Sequence, residues 1–235
     1  TVSQSRNYKK AESTPVAFTV SKARLVPSVN TLQSKTYDGG TKAEGTLTLS
    51  SADGKPILPE DAGKLKANGT FQWTSSDSGT DTVNVTEIKL DPEFEDRYEL
   101  TTSELSNVSC SGAKIENAKI QNVSVRQMME LTYNGREQLP EVTATGSTTG
   151  GTAITFRYGL TAVQAADENE WLNYVPAFTD AGTYTVYYTA SAVNHDSVYG
   201  SFEIKIKNAS ITGVDAAGYT GIYDGQSHGI KITLS

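Results

Sequence analysis

The chain has 235 residues, a formal net charge of −7, one cysteine and two histidines. So acidic a chain repels phosphate backbones, and no Lys/Arg stripe with interleaved aromatics offsets the charge, which argues against nucleic acid as a partner. A lone cysteine, Cys110, leaves no intramolecular disulfide, and no run approaches the roughly 20 apolar residues of a membrane span. Thr1 opens a polar stretch with no apolar segment of signal-peptide type.

In chain order, the first apolar run is Phe18-Thr19-Val20. Lys35-Thr36-Tyr37-Asp38-Gly39-Gly40 reads as a strand end and a turn, because Asp-Gly tolerates the positive φ that a tight reversal needs. Thr46-Leu47-Thr48-Leu49 alternates, Asp53-Gly54-Lys55-Pro56 turns, and Thr82 to Leu90 alternates again. Period-two patterning predicts antiparallel strands with one face buried and one wet. The acidic group Asp91, Glu93, Glu95 and Asp96 reads as a solvated loop; the competing reading is a weak calcium site, without the ligand spacing of a dedicated calcium loop. Val108-Ser109-Cys110-Ser111 predicts a strand with Cys110 facing the core. Asn134-Gly135, Gly150-Gly151 and Asp180-Ala181-Gly182 are further turn signals. Only Leu160 to Trp171 carries even a faint helical period, and a short helical turn is predicted there. Ser201 to Ile206 closes the list of alternating strands, with Ile230 to Leu234 as a last apolar run.

These elements repeat. Tyr37-Asp38-Gly39, Tyr133-Asn134-Gly135 and Tyr223-Asp224-Gly225 place their tyrosines 96 and 90 residues apart (133 − 37 and 223 − 133). A second marker ends in Ala23, Ala118 and Ala209, which precede those tyrosines by 14, 15 and 14 residues (37 − 23, 133 − 118 and 223 − 209). Two markers in phase predict a tandem array with units at about 23–117 and 118–208. Residues 1–22 then read as the C-terminal strand or strands of a preceding repeat, with Asn7-Tyr8 and Phe18-Thr19-Val20 in the places of Asn194-His195 and Phe202 to Ile206. Residues 209–235 read as the N-terminal part of a following one. Partial ends of this kind leave edges that could pair head to tail between molecules. The joints at Ala23, Ala118 and Ala209 hold no Pro/Gly/Ser linker, so limited hinge motion is expected.

Many short strands with regular turns predict an all-β fold of tandem immunoglobulin-like β-sandwich domains. Asp180-Ala181-Gly182-Thr183-Tyr184 sharpens this, since the tyrosine of such a corner bonds back to the nearby backbone. The first unit has Asp81 where that tyrosine would stand. At these residues the chain resembles two bacterial families. Residues 23–117, with Tyr37-Asp38-Gly39-Gly40-Thr41-Lys42-Ala43, look like a YDG repeat; residues 118–208 look like an MBG-type bacterial immunoglobulin-like domain. Tyr223-Asp224-Gly225-Gln226-Ser227-His228 looks like a second MBG opening. The resemblance implies a large, multi-repeat surface or secreted bacterial protein of adhesin type. It transfers no catalytic residues, and it makes the Asn-x-Ser/Thr sequons at Asn68, Asn84, Asn107, Asn122 and Asn208 compositional rather than glycan acceptors.

The expected function is therefore that of a non-catalytic stalk that projects a binding domain, with neighbouring repeats as its partners and no cofactor. A nucleophile, base and orienter would have to come from His195 with Asp196 or Asp180, and no Gly-x-Ser-x-Gly elbow accompanies them. A Lys–Asn isopeptide bond needs a buried carboxylate in contact with both residues, which spacing alone does not reveal. The alternative is a binding module in which exposed aromatics, Trp171 and Tyr174 first, take a host glycan or matrix protein. Against it stands the core reading, in which Trp73 and Trp171 each fill one domain interior.

Overall fold

The computed structural model describes residues 7, 12–110, 112–162 and 171–234. The predicted helical turn at Leu160–Trp171 falls mostly on 163–170, outside the described residues, as do Tyr8 and Ser111. Among the described residues the regular structure is almost all β, with two short 3-10 turns at Pro92–Phe94 and Thr149–Gly151. Among the described residues no helix is long and apolar enough to cross a membrane. The chain divides into two compact units, the second running from Asn117 onward and including the short tract Tyr37–Gly39.

In the first unit the strands are β1 (Ala23–Leu32), β2 (Lys35–Thr36), β3 (Gly45–Ser51), β4 (Ala67–Trp73), β5 (Thr82–Leu90), β6 (Tyr98–Leu100), β7 (Leu105–Ser109) and β8 (Ile115–Glu116). They form sheets in the orders β3-β1-β6, β4-β5-β7 and β2-β8. The second unit holds β9 (Ala118–Lys119), β10 (Gln121–Gln127), β11 (Leu131–Thr132), β12 (Val142–Ser147), β13 (Thr155–Gly159), β14 (Gly182–Ser191), β15 (His195–Asp196) and β16 (Val198–Lys207). Its sheets run β10-β12, β11-β16-β14-β13 and β15-β9. A hairpin of β17 (Val214–Ala217) and β18 (Lys231–Leu234) follows.

The pairings correspond unit by unit. The antiparallel pairs β1·β3, β4·β5 and β5·β7 have counterparts in β10·β12, β13·β14 and β14·β16. The parallel pairs β1·β6 and β2·β8 have counterparts in β9·β15 and β11·β16. Strand β16 does in one piece what β7 and β8 do in two.

Alternation decides which faces are buried. Phe202, Ile204 and Ile206 on β16 meet Val186 and Tyr188 of β14 and Tyr158 of β13 in one cluster, against which Val123, Val125 and Val142 of the β10·β12 sheet also pack. In the first unit Leu25, Leu90, Phe94 and Tyr98 form such a cluster, and Trp73, Val83, Val85 and Ile115 are buried as well. The simple alternation expected from Thr82 to Leu90 does not run through. Val83 and Val85 are buried, then Ile88 and Leu90. The phase is reset at Glu87, whose φ of 55° marks an inserted bulge residue. Opposite it the β4·β5 register shifts around Gly69, where a Cβ would lie 2.8 Å from Val85 Cγ1. Only glycine lets the two strands close over this irregularity.

The Tyr-Asx-Gly turns use their glycines as expected, with φ of 79°, 74° and 73° at Gly39, Gly135 and Gly225. Asn134 Oδ1 accepts the Arg136 N–H, and Asp224 Oδ1 accepts the Gln226 N–H, each at 2.9 Å. The tyrosine rings are not core anchors: Tyr133 is 41% exposed and Tyr223 93%. Tyr133 holds its strand end through the backbone, donating its N–H to Lys207 O at 2.8 Å. At the other predicted corner Tyr184 does use its ring, the hydroxyl donating to Asp180 O at 2.8 Å. Cys110, expected to face the core from a strand, instead lies just past β7 and is half-buried.

One loop of the first unit is locked from inside. Tyr98 donates its hydroxyl to Asp61 Oδ2 at 2.9 Å and accepts the Leu58 N–H at 3.2 Å. Arg97 meets the other Asp61 oxygen at 3.1 Å and lies over the Phe94 ring. Burial, reinforced by the bond to Asp61, raises the Tyr98 hydroxyl above its ordinary pKa. Replacing Tyr98 with Phe strands a buried carboxylate oxygen and a backbone donor, so a loss of about 1–3 kcal/mol is expected. Urea unfolding followed through Trp73, the one tryptophan of this unit, checks it; an unchanged midpoint would show that the network contributes nothing.

Candidate functional site

The second unit carries an open groove of about 510 Å³ between β12 and β13. These strands are consecutive but belong to different sheets, so the groove is the gap between two sheet edges. Ala144, Ile154 and Phe156 supply its apolar surface, and Thr145, Ser147, Thr148 and Thr152 supply hydroxyls. Among the described residues none that lines it carries a charge. Such a lining suits an uncharged ligand with both hydroxyl and apolar faces, and it offers neither an acid nor a nucleophile with its base.

The turn that closes one end of the groove is held from below. Gly150 and Gly151 take φ of 76° and 70°, and Thr148 Oγ1 donates to Thr152 O at 2.7 Å. His195 is 6% exposed. Its Nε2 lies 3.1 Å from Thr149 N, from which it accepts, while Nδ1 lies 2.7 Å from Val193 O, to which it must donate. The two bonds together define a neutral tautomer with the proton on Nδ1. The Tyr37 ring meets this imidazole edge-on at 5.5 Å. Both ring nitrogens are thereby committed to backbone, so His195 serves as a brace. The other histidine, His228, bonds Asp224 Oδ1 at 2.8 Å and stacks on Tyr219. The Gln226 N–H and His228 together hold the Asp224 carboxyl below its usual range.

The residues singled out from sequence lie elsewhere. Trp171 is half-buried, its ring lying over Gly159, where a Cβ would touch it at 3.7 Å. Leu172 exchanges two backbone bonds with Tyr158, of 2.8 and 2.9 Å, which fixes this segment on the outer edge of β13. Tyr174 is 54% exposed. Neither aromatic lines the groove. Trp73, by contrast, is 2% exposed and belongs to the interior of the first unit.

Asp91, Glu93, Glu95 and Asp96 surround the 3-10 turn Pro92–Phe94, with Phe94 turned inward. Glu93, Glu95 and Asp96 are exposed. Among the described residues no group of three or more His, Cys, Asp or Glu side chains is placed to hold a metal ion. The one buried carboxylate among them, Asp61, is taken by Tyr98 and Arg97 rather than by a lysine and an asparagine.

The groove escaped sequence reading because its signal is a run of small and hydroxylated residues, Thr143 to Thr152, that reads equally as a plain turn. No protein-family model matches the chain, and no curated protein or solved structure matches it either.

If His195 braces the turn, replacing it with Ala should raise hydrogen exchange at the Thr149 amide and loosen 148–152, while the β14·β16 amides keep their protection. Unchanged protection at Thr149 would show that the turn stands without the imidazole.

Proposed function

We propose that this chain is a segment of a non-catalytic stalk, built from tandem immunoglobulin-like β-sandwich units and exposed on a bacterial surface or secreted. The observation that carries the reading is the recurrence of the pairing scheme in both units. The Tyr184 corner bond supports the sandwich assignment, because that bond is a recurring feature of the immunoglobulin-like class. The Tyr-Asx-Gly turns at Gly39, Gly135 and Gly225 support the resemblance to YDG and MBG repeats. In such an array each unit folds on its own core, and reach grows with the number of units. Small-angle scattering on chains of increasing repeat number tests this. A maximum dimension that rises by a constant step per unit is the expected outcome; a chain that condenses as units are added would exclude a stalk.

A second reading, a module that binds glycan or host protein, is favoured by the uncharged groove and by the exposed Tyr174. A panel of glycans and matrix proteins tested against the folded chain separates the two. Under the binding reading, Phe156→Ala abolishes capture if the groove is the site, and Tyr174→Ala abolishes it if the β13 edge is. Absence of any capture by folded protein leaves the stalk reading alone.

A further inference from the structure

The opening of each unit is fastened to its closing strand by more than a backbone ladder. In the second unit β11 runs parallel to the end of β16, with Leu131 opposite Ile206 and Thr132 opposite Lys207. Tyr133 N–H extends the contact to Lys207 O. One step earlier on β16 the Gln127 side chain adds two bonds at Lys205. Its Oε1 accepts the Lys205 N–H at 2.8 Å, and its Nε2 donates to Lys205 O at 3.2 Å. Gln127 is also the last residue of β10, paired with Val142 of β12, so this one amide ties the two sheets together. Lys207 Nζ pairs with Glu130, whose carboxyl it holds below the usual range. That ion pair is surface-exposed and contributes little beside the hydrogen bonds.

The first unit repeats the device with different residues. Strand β2 runs parallel to β8, with Lys35 opposite Ile115 and Thr36 opposite Glu116. Lys35 N–H donates to Lys114 O at 3.2 Å, and the side chain of Ser34, just before β2, accepts the Lys114 N–H at 3.1 Å. On its other side Ile115 exchanges backbone bonds with Thr80 and Gly79. Ser34 and Gln127 thus do the same job, each accepting the backbone N–H of the residue just before the parallel pair.

We propose that these parallel clasps bear tension, resisting the extension of each unit when its two ends are pulled. The proposal rests on the stalk reading, because a stalk is loaded end to end. The geometry follows from strand direction. Pull on the incoming chain, transmitted through β9 and β10, draws β11 toward its start, and pull on the outgoing chain draws β16 toward its end. Since the two run parallel, the load shears all bonds between them at once. An antiparallel pair loaded from one end would instead open one bond at a time. The core residues Phe202, Ile204 and Ile206 lie on the strand that the clasp holds in place, so the core stays covered until the clasp yields. Resistance of this kind is an unfolding-rate property and need not follow equilibrium stability.

The test is single-molecule pulling of the full 235-residue chain through its two ends. Each molecule should show two high-force events, each releasing on the order of 300 Å for a unit of about 90 residues at 3.3–3.6 Å per residue. Gln127→Ala should lower the force of one event and leave the other alone, and Ser34→Ala should lower the other. Gln127→Glu, which keeps the acceptor for Lys205 N–H and loses the donor, should fall between, and it provides the reading if the alanine variant does not fold. Tyr184→Phe, which removes the bond to Asp180 O and none between β16 and β11 or Gln127, should lower urea stability without lowering either force. The proposal is overturned if both events keep their force in the Gln127 variants, if Tyr184→Phe weakens the force as much, or if the native chain extends without high-force events. Any of these would leave the stalk reading to be judged by scattering alone.

Discussion

Each unit depends on how its last strand is held between two neighbours. In the second unit β16 lies between β14 and β11, with a nine-pair antiparallel register on one side from Gly182↔Ile206 to Ala190↔Val198, and a short parallel contact on the other. The same strand delivers Phe202, Ile204 and Ile206 to the core. Burial of these side chains is the main favourable term, at roughly 1.5–3 kcal/mol for each large apolar residue. Burial alone would tolerate a slip of about two residues, which keeps the same face inward. The parallel pairing of Leu131 with Ile206 and the bonds from Tyr133 to Lys207 and from Gln127 to Lys205 remove that freedom. Register and core are therefore set together, because a slip of one residue would turn the apolar face to water.

The two units reach the same pairing scheme with little shared chemistry. The first uses a bulge at Glu87 with Gly69 opposite it, while the second has an uninterrupted β14. A tyrosine corner braces the second unit at Tyr184. In the first, Asp81 occupies that place, and a different tyrosine, Tyr98, provides a buried hydroxyl network around Asp61. Tyr98 brings its hydroxyl into the interior and finds partners there, whereas the Tyr184 hydroxyl closes its corner at the surface. That the partners differ while the strand order does not indicates that topology, rather than any one contact, is what the two units have in common.

The second unit shows no assembled chemistry among its described residues. His195 has the burial that a catalytic histidine often has, yet its two nitrogens are spent on Thr149 and Val193. The adjacent groove is lined by hydroxyls, glycines and apolar carbons, which suits recognition of neutral surfaces.

From the sequence alone the all-β class, the in-phase Tyr-Asx-Gly turns, the burial of Phe202, Ile204 and Ile206 and the Tyr184 corner were legible. Each is a local matter: period two, a residue type that tolerates positive φ, or a ring four residues from its acceptor. Tertiary structure alone decided the rest. The Glu87 bulge depends on what faces it across the sheet, so the strand pattern looked continuous when read along the chain. The clasp joins Gln127 to Lys205, 78 residues apart, and nothing in either neighbourhood marks the partner. The groove arises because consecutive strands β12 and β13 join different sheets, which no spacing reveals. Trp171 was the tryptophan the sequence offered as exposed; it is half-buried on the outer edge of β13, whereas Trp73, the last residue of β4, is turned into the interior of the first unit. Local stereochemistry is written in neighbouring residues; which distant strand lies alongside is settled only when the chain closes on its core.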